Sequence, residues 1–469
     1  MGAPLYGRRN TMPNNTISKI TRVGFVSLGC PKNLVDSEVM LGTLAERGYQ
    51  ITPDQETADV IVVNTCGFID SAKAESIDTI LEMARLKETG NCRKLVVAGC
   101  LAERYRSQIR EQIPEIDYVF GPEELGQILE AVRLDDEDPV PDLGIDSLYT
   151  STVVPTIPRM RTTAPHLAYL KISEGCDHTC AFCAIPNFRG RFRSRTVKDL
   201  VEESRRLAGE GVQELVIVSQ DTLAYGKDLD LGAEGLERLI EGLLGVDGIP
   251  WIRLLYCYPN LLSERLIRLI GAEPRLCNYF DIPFQHASPK VLEGMRRGGG
   301  RAMFTRQIER LRELVPGAGL RTSFIVGFPG ETDADFDELV HFVSDIRFDN
   351  VGVFLYSDEE DTSAFGLGGK VLRKTAELRR DRLMSIQAGI AAEHLASRVG
   401  ETVSVLLDGF SSETDLLLEG RMETQAPEID GRVLINDAGD VVPLAGRFYR
   451  TEITEHLDYD LIGRIVEPL

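Results

Sequence analysis

The chain has 469 residues, 43% hydrophobic and 27% charged, enough for about three domains with real cores. No apolar run approaches the roughly 18–20 residues that cross a bilayer, and nine cysteines are too sparse, and odd in number, for a disulfide scaffold, so a reducing cytoplasm is the expected compartment. A formal charge of −21 speaks against an extended nucleic-acid surface, which needs lysine and arginine, and suits a basic protein partner.

Residues 1–21 lack the apolar stretch of a signal peptide and read as a disordered leader. Over 22–133 short apolar runs, "VGFVSLG" (23–29), "ADVIVVNT" (58–65) and "KLVVAG" (94–99), alternate with the helical patterns "DSEVMLGTLAERG" and "AKAESIDTILEMARLK". Buried runs alternating with helices predict a doubly wound α/β domain on a parallel sheet. Residues 134–165 mix acid, proline and threonine, which is linker composition.

The βα rhythm returns over 166–398. Strands are expected at 167–172, 214–219, 251–256, 279–283, 320–327 and 351–356, with amphipathic helices such as "VKDLVEESRRLAGEG" between them. Six units predict an open, partial (βα)6 barrel with its chemistry on the loops after the strands. Residues 401–469 hold short strands, "ETVSVLLDGF", "DLLLEGRM" and "GRVLINDA", separated by turn residues, which predicts a small antiparallel β-barrel. This segment has fifteen acids, five arginines and no lysine, a formal charge of −10.

"CDHTCAFC" (176–183) follows the first barrel strand. Cys176, Cys180 and Cys183 are soft thiolate donors suited to an iron–sulfur cluster or to zinc. A structural zinc would want a fourth ligand, for which His178 is available. Three thiolates on a four-iron cluster leave one iron open. Far upstream, Cys30, Cys66 and Cys100 each end an apolar run, about one βα unit apart. All three should emerge at the C-terminal edge of one parallel sheet, where doubly wound sheets bind ligands. Cys92, Cys257 and Cys277 lack such companions and read as structural. The arginines of "RGRFRSR" (189–195) fit either carboxylate pairing or a solvated loop, with the solvated loop preferred. The remaining histidines are too scattered to suggest a His-based metal site.

The cysteine motif on the first strand–loop of a partial barrel resembles the radical S-adenosylmethionine superfamily. The resemblance implies Cys176, Cys180 and Cys183 as ligands of a [4Fe–4S] cluster, with Phe182 as the aromatic residue before the last cysteine. "TSFIVGFPGET" (322–332) resembles the fifth-strand stretch that lines the cofactor's adenine, which implies Ser323, Gly327 and Gly330 as cofactor contacts; Gln220 of "SQDT" is a further candidate. "GGG" (298–300) reads as a flexible loop.

Together with the upstream cysteines and the terminal β-domain, known as TRAM, the chain resembles the methylthiotransferases over nearly its whole length. One branch of that family modifies an adenosine of transfer RNA; another modifies an aspartate of the small-subunit ribosomal protein S-twelve. "SLGCPKNLVDSEVMLG" (27–42) and "DIPFQHAS" (281–288) resemble the second branch, the first by Pro31-Lys32-Asn33 where the RNA branch tends to "GCQMN". The second stretch implies Gln285 and His286 as substrate contacts. The resemblance implies two [4Fe–4S] clusters, the upstream one held by Cys30, Cys66 and Cys100 and carrying the sulfur. One S-adenosylmethionine would methylate that sulfur. A second would yield the radical that takes hydrogen from the aspartate β-carbon. A reductant protein and a sulfur donor are implied as further partners. A third possibility, of another class, is a non-catalytic iron–sulfur or zinc protein docking on ribosomes.

Overall fold

The structure, a computed structural model, describes residues 20–134 and 158–469. The expected leader and the expected linker lie mostly outside these residues. The end of the linker that is described is packed: Arg159 is buried against Glu38 and Glu203, and the Met160 N–H donates to the Glu38 carbonyl at 2.9 Å.

Five parallel strands form the N-terminal sheet: β1 (Arg22–Ser27), β2 (Gln50–Thr52), β3 (Val60–Thr65), β4 (Lys94–Gly99) and β5 (Tyr118–Phe120), in the order β2-β1-β3-β4-β5. β-Branched side chains in period two cover both faces. Val60 and Val62 pack with Val39 and Leu44 of the Pro31–Glu46 helix on one side. Ile61 and Val63 pack with Ile80 and Met83 of the Asp70–Thr89 helix on the other. β2 and β5, three residues each, are absent from the sequence-based reading.

The barrel has β6 (Leu167–Lys171), then a two-residue hairpin of β7 (Ser173–Glu174) and β8 (Arg193–Ser194), then β9 (Glu214–Val218), β10 (Trp251–Leu254), β11 (Tyr279–Asp281), β12 (Gly319–Val326) and β13 (Asn350–Leu355). All six expected strands are present. They form two parallel halves, β10-β9-β6 and β11-β12-β13, joined by a parallel bridge from Ile252 to Leu276. β6 and β13 do not pair, so the barrel is open along that seam. Ala168, Leu170 and Ile172 face the surrounding helices. Leu167 and Tyr169 point inward with Val216, Val218, Trp251 and Tyr279.

Two neighbours fill the barrel interior. Val35 from the N-terminal helix and Leu406 and Ala426 from the C-terminal segment join its inner apolar cluster. That segment is a closed barrel of β14 (Thr402–Phe410), β15 (Leu418–Arg421), β16 (Val433–Asp437), β17 (Phe448–His456) and β18 (Leu461–Pro468), in the order β14-β15-β16-β18-β17. The expectation of an all-antiparallel barrel needs correction, because β16 and β18 pair in parallel. At the joint, buried Glu214 accepts from Arg253 at 2.7 Å and from Arg421. Arg421 continues to Asp408 at 2.8 Å, which also meets His166 at 2.8 Å. Tyr279 donates to Asp430 at 2.6 Å. A cavity of about 650 Å³ lies here, against Leu167, Arg321, Asn350, Glu428, Asp430 and Arg432, with no cysteine in its walls.

Candidate active site

The three upstream cysteines leave the sheet at one edge, as their spacing predicts. Cys30 follows β1 and precedes the first turn of the Pro31–Glu46 helix. Cys66 follows β3, its N–H donating to Ser76 Oγ at 3.0 Å. Cys100 opens the Cys100–Arg104 helix directly after β4. β1, β3 and β4 are neighbours in the sheet. Gly29 lets the first two loops meet: its φ is +92°, and a Cβ there would stand 2.8 Å from Cys66 Cβ. The three thiols lie within one another's fields.

Their electrostatics differ. Burial works against a Cys30 thiolate, but Lys32, Arg189 and the backbone N–H groups of Asn33 and Lys32 outweigh it and hold this thiol below its usual value, as a helix N-terminus favours. Burial pushes the Cys66 thiol up and that of Cys100 up to about 12, despite the opposing field of Arg189.

The barrel triad sits beyond β7. The Cys176 N–H donates to the Gly190 carbonyl at 3.2 Å, and Ala181 is tied to the Met295 carbonyl at 2.9 Å and to the Ala364 N–H at 2.8 Å. Burial pushes Cys176 up to about 11 and Cys183 up to about 12, and Cys183 lies in the field of both other members. Arg297 points Nη1 at Cys180 Sγ (3.6 Å), donates Nη2 to the Pro283 carbonyl and stacks over Tyr258. The proposed zinc ligand His178 is engaged elsewhere: Nε2 lies 2.6 Å from Asp221 Oδ2, and the ring stacks on Tyr258 with centroids 3.9 Å apart.

Among the described residues no three His, Cys, Asp or Glu side chains converge tightly enough to hold one metal ion. Each triad fits a polynuclear centre better, since a cluster spreads its thiolates over separate irons. The thiols that burial raises, Cys66, Cys100, Cys176 and Cys183, become thiolates against a metal charge. Cys92, Cys257 and Cys277 are buried apart from both triads.

The segment Ile185–Arg189 joins the two triads. Cys100 packs against Ala184 and Phe188, immediately beyond Cys183. Arg189 is 2% exposed and donates to Cys100 Sγ at 3.2 Å, Asn33 Oδ1 at 3.2 Å, Asp36 Oδ2 at 3.2 Å and both Glu174 oxygens at 3.0 Å. Lys171 closes the group, bonding Asp36 and, at 2.7 Å, Glu174. The preferred reading of 189–195 as a solvated loop is therefore corrected for Arg189 and also for Arg195, which is buried against Asp199 and Glu203. Carboxylates, distant in sequence for Arg189 (Asp36) and near for Arg195 (Asp199, Glu203), replace the water these guanidinium groups would otherwise need.

The expected cofactor contacts lie on the barrel strands or on the loops after them. Gln220 follows β9, with Oε1 buried and without a partner. Ser323 lies within β12. Gly327 follows β12, and a Cβ there would stand 2.6 Å from Ala376 Cβ; its N–H and that of Phe328 donate to Glu331, whose carboxyl burial raises to about 7. Gly330 is exposed and donates to the Gly369 carbonyl at 2.8 Å. Phe182 packs beside Phe328 and Met295. "GGG" is not a free loop: Gly300 precedes the Arg301–Leu314 helix and abuts Pro289.

Gln285 has φ +69° and bridges to β12 through its backbone. His286 has no exposed surface. Its Nδ1 accepts from the Ser288 N–H at 3.0 Å, Nε2 has no partner, and burial lowers its pKa to about 3. The ring is enclosed in this structure. Sequence reasoning missed Lys32 and Arg297 as members of the site. Lys32 carried one signal, its place two residues after Cys30; Arg297 carried none.

The chain matches the Uncharacterized protein family UPF0004 over residues 22–121, the Radical SAM superfamily over 170–343 and the TRAM domain over 399–466. It is 49% identical to the "Ribosomal protein uS12 methylthiotransferase RimO" of Solibacter usitatus over 95% of both chains. The protein of that name from Koribacter versatilis is 46% identical over 96% of this chain and 97% of its own. The one from Myxococcus xanthus is 47% identical over 94% and 91%. Among solved structures, the radical S-adenosylmethionine methyltransferase TsrM from Kitasatospora setae, with cobalamin and a [4Fe–4S] cluster bound, shares the fold. Its TM-score is 0.51 at 14% identity, over 84% of this chain and 78% of that one. With its two cysteine triads and relatives matched over nine-tenths or more of both chains, the chain belongs to the ribosomal protein uS12 methylthiotransferase family of radical S-adenosylmethionine enzymes.

Proposed function

We propose that this protein attaches a methylthio group to the β-carbon of an aspartate in ribosomal protein uS12, using two [4Fe–4S] clusters and S-adenosylmethionine. The observation that carries this reading is the pair of cysteine triads on separate sheets, brought side by side through Cys100, Ala184 and Phe188. When bound, these cofactors supply the sulfur and the radical chemistry that an unactivated C–H bond demands.

The chain's own work is placement. Cys30, Cys66 and Cys100 hold one cluster, and Cys176, Cys180 and Cys183 the other. Arg189 fixes Cys100 against the barrel, and Arg297 directs positive charge at Cys180. Ser323, Gly327, Gly330, Phe182 and the free Gln220 Oε1 form the bed for S-adenosylmethionine. Gln285 and His286 shape the wall behind the substrate, His286 as a neutral positioning group. The working units are 22–133, 166–398 and 401–469, with the terminal barrel docking the basic substrate and contributing little affinity for free nucleic acid. A reductant protein and a sulfur donor complete the system in the cytoplasm. Among the described residues no helix is long and apolar enough to cross a membrane.

Peptide mass mapping of uS12 after incubation with the reconstituted enzyme, reductant and S-adenosylmethionine should show one added methylthio group on one aspartate. Product on a transfer-RNA adenosine, with none on the protein, would reject the reading.

A further inference from the structure

Taken as whole residues, backbone included, eight lysines and arginines are buried among the described residues. Six of them stand within 4.0 Å of a carboxylate. The two others are Lys32 and Arg297, one beside each cysteine triad. Arg297 has acceptors in Cys180 Sγ and the Pro283 carbonyl. Lys32 is served far less well.

An ammonium carries three donors. The Lys32 ammonium makes a long contact to the Ser219 carbonyl at 3.4 Å, lies 3.5 Å from the centroid of the Tyr256 ring and near its hydroxyl, and stands in the field of the Cys30 thiol. Ser219 follows β9 and Tyr256 lies just past β10, so the ammonium reaches from the N-terminal domain to the chemical end of the barrel. Tyr256 is itself held at φ +62°, a backbone conformation that non-glycine residues adopt rarely and that clusters at functional sites. A buried cation whose neighbours are a carbonyl, a phenol and a single thiol, with no carboxylate, is costly and gains from a further anion that comes to meet it. An aspartate substrate brings such an anion, one bond away from the carbon to be modified.

We infer that Lys32 is a specificity-determining residue whose ammonium binds the carboxylate of the target aspartate and so fixes the adjacent β-carbon between the two triads. This rests on the proposed reaction, because a transfer-RNA adenosine carries no carboxylate. A charge-assisted bond of this kind discriminates against an amide, which has no charge to offer.

The experiment is binding of uS12 to the full-length holoenzyme, using uS12 with its target aspartate and uS12 with asparagine in that place. The wild type should prefer the aspartate form by about tenfold or more. Lys32→Met should bind both forms within about twofold of each other, and Lys32→Arg should restore part of the preference. Because each enzyme is compared with itself, a variant that is partly unfolded still yields the ratio. A full aspartate preference in Lys32→Met overturns the inference. So does a Lys32→Met protein that keeps the preference but loses iron or affinity for S-adenosylmethionine, which would assign the ammonium to the cofactors. If wild type modifies an adenosine and not uS12, the functional reading itself has failed, a result seen without any variant.

Discussion

Arg189 touches both triads' surroundings at once, and its role was hidden in the sequence for a physical reason. Alternating arginines in "RGRFRSR" resemble a solvated edge until Asn33, Asp36 and Glu174 are folded against them. The six cysteines, by contrast, were legible, because three thiols in eight residues, or one after each βα unit, is a pattern local spacing preserves. Lys32 and Arg297 were not, since lacking a carboxylate is a property of the neighbours and not of the residue. His286 gives a residue-scale prediction. The folded ring stays neutral down to about pH 3, whereas an unfolded histidine protonates near 6.5. Below pH 6.5 the unfolded chain binds a proton that the folded ring refuses. The stability contribution is therefore intact above 6.5 and falls with pH toward 3, by about 2 kcal/mol between pH 7 and pH 5. Urea unfolding of wild type and His286→Asn at both pH values should show the wild type losing that much more. Equal losses would mean that the ring is not held neutral.

At the scale of elements, the long buried strands declared themselves, and the three-residue strands β2 and β5 did not, because three residues are too few to show a period. The parallel pairing of β16 with β18 was equally unreadable: alternation gives a strand's faces but not its partner. The loop from β1 to the Pro31–Glu46 helix gives a prediction at this scale. Gly29→Ala puts a methyl 3.1 Å from Cys66 Sγ and 2.8 Å from its Cβ, on a backbone at φ +92°. Both strain and crowding fall on the upstream triad alone. The reconstituted variant should carry about four irons per chain, the number one cubane cluster holds, with the barrel triad loaded. Iron analysis beside Cys176→Ala, which should spare the upstream site, checks this. An undiminished iron content in Gly29→Ala would show that the two loops can separate without cost.

At the scale of the whole molecule, the C-terminal barrel carries a formal charge of −10 and also packs against the radical barrel. Its acids are not equivalent. Asp408 is 24% exposed at its side chain and pinned by Arg421 and His166, so it belongs to the joint with the radical barrel. Glu413, Asp415, Glu455 and Asp458 are exposed. Reversing these four to lysine should slow association with a basic ribosomal protein by about tenfold at low salt and flatten the salt dependence, as loss of steering does. Stopped-flow association at several ionic strengths measures it, and an unchanged rate would remove these acids from the docking face. The sign of this domain's charge was legible from composition. Which acids are exposed was not, because that depends on how the strands fold and where arginines such as Arg421 and Arg432 arrive.

The joint itself has a further meaning for how such an enzyme can change its target. Arg421, Leu406 and Ala426 reach up into the foot of the barrel, where Glu214, Tyr169 and Tyr279 wait for them. The terminal module is thus a stopper for the radical barrel. Exchanging it for another module as a cassette would unseal the barrel from below, leaving Glu214 without one of its two guanidinium partners. Changes confined to the outer wall of this module would leave its plug intact.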